Sequence, residues 1–123
     1  MINNCKKVLY LPLKKQWYDM INSGDKKEEY REMTPYWIKR ITDIESHLFE
    51  LNTLIMTGQK VPMKPYTNVH FTLGYPKKDD IERNMTFEIK GIEIREGKEE
   101  WGAIPKKNYF VIILGDKIKM GDC

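Results

Sequence analysis

The residue pattern on either side of Gly91 constrains the fold more than any other feature of this chain. Met85, Phe87 and Ile89 alternate with Thr86, Glu88 and Lys90, the period of a strand with one face against a core. After Gly91 the apolar parity changes to Ile92 and Ile94. A one-residue phase shift at a glycine marks a β-bulge, where a long strand bends and re-aims its faces. Bends of this kind belong to small closed or nearly closed barrels.

The surrounding pattern supplies the other elements. Residues 7–13 read as a first strand, and Val69, Phe71 and Leu73 alternate with His70 and Thr72 in a later one. Tyr109, Phe110, Val111, Ile112, Ile113 and Leu114 are apolar on both parities, so this strand is expected to be the most buried. Leu13, Trp17, Met20 and Ile21 have helical spacing, and Gly24 is a natural C-cap for a helix over about 14–23. Thr34-Pro35 places an N-cap before a proline at the first helical position. Trp37, Ile41, Ile44 and Leu48 predict that this second helix runs to about Glu50. Residues 51–58 either continue it or form a separate short helix. Residues 59–68, with Pro62 and Pro65, are expected to be a loop of low order. The order β-α-β-α-β-β-β predicts an α+β fold, a small β-barrel with two or three helices packed at its ends.

The chain has 123 residues and a net charge of +3, enough for one domain over 1–123. Within it, residues 43–68 form an expanded helical and loop connection. Its 21 basic and 18 acidic residues are interleaved through both halves, which argues against a broad phosphate-binding face. The longest apolar run is 109–114, far short of the roughly 20 residues of a membrane span. With no secretory h-region near Met1, these features predict a soluble, cytoplasmic protein that does not engage a membrane. Cys5 and Cys123 lie at opposite ends, and a reducing compartment would leave both as free thiols. His47 and His70 have no metal-ligand spacing, so no metal is expected. Phosphate-loop, dinucleotide and nucleophile-elbow patterns do not occur. The oligomeric state is left open.

The segment that carries chemistry is Gly24-Asp25-Lys26-Lys27-Glu28-Glu29-Tyr30-Arg31. In an extended strand Glu29 and Arg31 share one face, and Glu28 and Tyr30 share the other. Lys26 joins Glu29 only if it sits in the turn after Gly24. Together these residues would bind an anionic or polar ring: Arg31 offers a bidentate fork, and Lys26 with Glu29 forms a potential acid–base pair. The simpler alternative is a salt-bridged edge strand whose charges discourage edge-to-edge pairing.

Gly24, Lys26, Glu29 and Arg31 also match the G-x-K-x-x-E-x-R signature of the ASCH domain, within the PUA-like superfamily. Flanking residues Ile21-Asn22-Ser23 and Tyr36-Trp37-Ile38-Lys39-Arg40 extend the likeness. So do Phe71-Thr72-Leu73-Gly74-Tyr75, Trp101-Gly102-Ala103 and residues 109–115, which resemble landmarks of a phage and bacterial ASCH-like branch. The resemblance spans nearly the whole chain apart from 43–68. It implies a PUA-like β-barrel whose cleft faces RNA, a nucleoside or a nucleotide, with no cofactor.

Some ASCH proteins are enzymes, including a branch that hydrolyses the amide of N4-acetylcytidine and another associated with ribonuclease activity. The amide hydrolases use a Lys, a Thr and a Glu. Their Lys matches Lys26, but their Thr falls on Glu29, which removes the hydroxyl and argues against that reaction here. If an enzyme, the chain would use Lys26 and Glu29 as catalysts, with Glu88 or Glu93 as a second carboxylate facing the cleft. A non-catalytic accessory module is the third reading. Tyr36 and Tyr75, beside prolines, are the candidates to stack on a base, a contact worth roughly 1–3 kcal/mol. Trp17 and Trp37 read as core, Trp101 as a plug of the barrel rim, and His70 as a satisfied histidine. Lys14, Lys15, Lys39 and Arg40 are candidate phosphate contacts around the rim.

Overall fold

The computed structural model describes residues 5–44 and 48–119. Cys123 and His47 lie outside the described residues. Among the described residues there are five strands: β1 (Val8–Leu13), β2 (Glu28–Arg31), β3 (Asn68–Leu73), β4 (Asn84–Glu96) and β5 (Asn108–Ile118). They form one mixed sheet in the order β1-β3-β4-β5-β2, with β1 parallel to β3 and the other pairs antiparallel. Three helices, α1 (Lys15–Ser23), α2 (Pro35–Ile41) and α3 (Leu48–Met56), connect the first three strands.

The sheet curls into a half-barrel, and the bend lies where the sequence pattern places it. Along β4 the pairing register with β5 shifts between Phe87 and Ile89 and again between Ile89 and Gly91. The long strand pairs with β3 over Asn84–Glu88 and with β5 from Thr86 to Glu96. Within β5 the 109–114 run is almost wholly buried, with Phe110, Val111 and Ile112 fully enclosed. Each such side chain contributes roughly 1.5–3 kcal/mol relative to exposure.

The sheet does not close through a backbone ladder. β1 and β2 are its two edges, and a side chain joins them: Arg31 Nη2 on β2 donates to the Pro12 carbonyl on β1 at 2.9 Å. β2 is thus an edge strand, but Glu29 on it points inward and is only 4% exposed. That orientation separates it from a merely solvated edge.

Three expectations are corrected. Helix α2 stops at Ile41 instead of running to about Glu50. The Thr42 hydroxyl bonds back to the Ile38 carbonyl, its backbone is extended, and it bridges to Met63. Lys64 Nζ caps the freed carbonyls of Lys39 and Thr42, so the cation sits on the helix C-terminus where the dipole favours it. α3 is consequently a separate helix. The 59–68 connection is irregular but tied down: Val61 is buried, and the Tyr66 hydroxyl donates to the Arg40 carbonyl. Cys5 is disulfide-bonded and is not a free thiol. The expectation of a thiol rested on an assumed reducing compartment, with no geometric argument behind it. Among the described residues, no helix is long and apolar enough to cross a membrane.

Candidate functional site: a charged group under an aromatic cleft

The site begins at the end of α1. Gly24 adopts φ +90°, which returns its N–H to the Ile21 carbonyl and closes the helix. The next turn swings Lys26 round until its N–H reaches the Met20 carbonyl at 3.0 Å. Lys27 then docks on β5 through the Leu114 N–H, and β2 starts at Glu28. This turn solves the parity problem of Lys26. Its ammonium meets Glu29 Oε1 at 2.7 Å and the Trp101 carbonyl at 2.8 Å.

Glu29 holds the group together. Its Oε1 also accepts the Tyr30 N–H, and its Oε2 accepts Arg31 Nη1 at 2.6 Å. The side chains of Lys26, Glu29 and Arg31 are 1%, 5% and 16% exposed, so the carboxylate is fully enclosed while the guanidinium keeps one edge open. Two cations against one carboxylate leave a local excess of one positive charge. Burial lowers the Lys26 pKa, against the opposing pull of Glu29. An ammonium that gives up its proton more readily, beside a carboxylate, has the makings of a proton-transfer pair.

Above this group lies a cleft of about 360 Å³, with Trp17, Trp101 and Tyr109 in its walls and Lys14 and Glu32 at its mouth. Lys26 Nζ sits 4.6 Å from the Trp17 ring centroid, so wall and charge are in direct contact. A donor-rich base flanked by flat aromatic surfaces suits a planar ring carrying carbonyl or anionic oxygens.

The opposite face of β2 positions the Trp101 wall. Glu28 pairs with Arg95 on β4 and accepts the Tyr30 hydroxyl at 2.8 Å. That hydroxyl accepts the Lys98 N–H at 3.0 Å, fixing the loop before the 3-10 turn Glu99–Trp101. Gly97 lets the loop approach: a Cβ there would lie 2.6 Å from the Tyr30 ring.

Burial pushes the Glu28 carboxyl up, but hydrogen bonds from Arg95 and Tyr30 outweigh it and hold the group below the usual carboxylate range. Glu28 is therefore more acidic when folded than when unfolded. Its stabilisation is complete above the unfolded-state value and is lost as pH falls through the folded-state one. Glu28→Gln should flatten the acid limb of a stability-against-pH profile measured by urea unfolding; an unchanged limb would contradict this pairing.

Of the residues singled out from sequence, the structure brings together Lys26, Glu29 and Arg31. Tyr36 and Tyr75 do not line this cleft. Tyr36 lies edge-on to Trp37 and under Arg40, and Tyr75 is fully exposed. Glu88 and Glu93 are both exposed on β4, and neither enters the cleft; Glu93 instead pairs with Arg95. This corrects the choice of second carboxylate, because the bend of β4 turns those side chains away and Glu32 at the mouth is the acid that faces in. Among the rim cations, Lys14 lines the cleft, whereas Lys15 pairs with Asp19 on the outer face of α1. His70 is satisfied by Thr86 and Asn84. Trp17, read from sequence as core, is a wall of the cleft, and Trp37 packs on Arg31 at 5.3 Å. Among the described residues, no cluster of His, Cys, Asp or Glu is arranged to hold a metal ion.

Comparison with known proteins returns no matching family model, no matching curated protein and no matching solved structure.

Proposed function

We propose that this chain is an ASCH-type domain of PUA-like barrel architecture, and that its cleft binds a nucleoside unit, free or within RNA. One observation carries the reading. Lys26, Glu29 and Arg31, the three charged positions of the signature, meet in one hydrogen-bonded group beneath an aromatic cleft. A stapled edge strand alone does not require aromatic walls or a cavity of this size. The excess positive charge and the remaining Arg31 and Lys14 donors would take the ring's carbonyl oxygens, and Trp17 or Trp101 would take its face.

Calorimetric titration of the four ribonucleosides and short single-stranded RNA tests this. Arg31→Lys keeps the charge but loses the fork, and is expected to weaken binding about tenfold, as loss of a charge-assisted bidentate contact does. No binding by the wild-type protein, or equal binding by both proteins, would sink the assignment.

A second reading makes the same cleft catalytic, because burial makes Lys26 a better proton donor beside Glu29. It predicts turnover of N4-acetylcytidine or single-stranded RNA that Lys26→Ala abolishes. Product formation surviving that substitution would remove Lys26 from the chemistry.

A further inference from the structure

The cleft does not end at Glu32. The same side chain is also a wall of an adjoining trough of about 480 Å³, lined besides by Met33, Thr34, Leu48, Lys106, Lys107 and Asn108. Lys107 connects the two spaces. Its ammonium pairs with Glu32 and lies 5.4 Å from the ring centroid of Tyr109, a wall of the cleft. Lys106 is exposed beside it, with a backbone φ of +62° that only this non-glycine residue adopts among the described residues. Its N–H is held by Glu96 Oε1 at 3.0 Å, which fixes the turn that carries both lysines. A lysine kept in the left-handed region, where glycine or asparagine would sit at lower cost, is the kind of local strain that gathers at binding sites. Of the charged side chains that line the trough, two are cations and one, Glu32, is an acid, with the Glu96 carboxylate behind the Lys106 backbone.

We infer that the ligand is a phosphorylated nucleoside, with its ring between the aromatic walls and its phosphate in the trough at Lys106 and Lys107. This deepens the nucleoside-binding reading and rests on it. The chemistry divides cleanly between the two spaces. The cleft has aromatic walls on which a ring can lie, whereas the trough carries two lysines within reach of a solvated phosphate. The Lys107–Glu32 pair is solvent-facing, so a phosphate oxygen, a strong charge-assisted acceptor, can draw the ammonium from the carboxylate. Glu32 would then be repelled by the phosphate and would mark the boundary between the subsites.

The test is a titration of each of the four ribonucleosides, its 5′- and 3′-monophosphates and inorganic phosphate, followed by tryptophan fluorescence at fixed ionic strength. Variants Lys106→Asn and Lys107→Gln, alone and together, remove charge, and asparagine keeps the left-handed turn. One monophosphate is expected to bind at least about tenfold more tightly than its nucleoside. The double variant should erase that preference. Equal binding of nucleoside and monophosphate overturns the inference, as does a preference that survives the double variant. Inorganic phosphate binding as tightly as the monophosphate would assign the trough to a free anion and also overturn it. Nucleoside binding without a phosphate preference refutes the trough alone; no binding of nucleoside or monophosphate refutes the cleft reading as well.

Discussion

Glu29→Gln is expected to cost about 3–5 kcal/mol of folding stability, the usual loss when one partner of an enclosed ion pair is removed. The amide keeps the shape and one acceptor, but Lys26 and Arg31 then face each other with no counter-charge. The neutral form of Lys26 relieves that penalty. Its folded-state pKa, already lowered by burial, falls further, so over the window up to the unfolded-state value the folded protein binds fewer protons. Stability of the variant should therefore rise as pH increases from neutral towards the unfolded lysine range. Adding Lys26→Met should recover part of the loss, since contacting residues are coupled by about 0.5–3 kcal/mol. Urea unfolding across pH reads all three effects. A loss below about 1 kcal/mol, with no pH slope, would mean that water already screens the group as it does surface pairs.

The second large effect is expected at Gly102. Its φ of +100° belongs to glycine, and a Cβ there would stand 2.8 Å from Trp17 Cζ2. Gly102→Ala combines backbone strain with overpacking, each worth roughly 1–3 kcal/mol. Trp17 must give way, and Lys26 lies over its ring, so the substitution should weaken nucleoside binding along with the fold. Gly97→Ala offers a comparison from the other side, since its Cβ would meet Tyr30 and displace the loop before Trp101. A Gly102→Ala protein with unchanged urea midpoint and unchanged affinity would show that Trp17 moves freely and is not a fixed wall.

The sequence carried the bend of β4 because a parity flip at Gly91 is a local signal, and local signals survive without tertiary information. The meeting of Lys26 with Glu29 was legible only as a condition: strand parity separates the two, and the turn after the Gly24 C-cap brings them together. The end of α2 was not legible. Ile44 and Leu48 continue the apolar stripe, yet Thr42 and the distant Lys64 and Met63 end the helix. Nor could Trp17 be recognised as a wall, because a half-buried aromatic on a helix gives the same pattern beside a cleft as inside a core. Its position over Lys26 depends on how far the sheet curls and where β1 meets β2. The Arg31–Pro12 contact that joins those edges links residues far apart in sequence, and no spacing announces it.

The chain has three tryptophans, two on the cleft and one, Trp37, outside its lining, which makes a direct readout available. Indole N–H signals in a proton–nitrogen NMR spectrum can be followed while the tightest-binding ribonucleoside or monophosphate is added. The account predicts that Trp17 and Trp101 shift in a saturable manner together with the Arg31 guanidinium, while Trp37 moves least of the three indoles. Saturable shifts confined to Trp37 and the surface around Tyr36, with Trp17 and Trp101 unmoved, would contradict it.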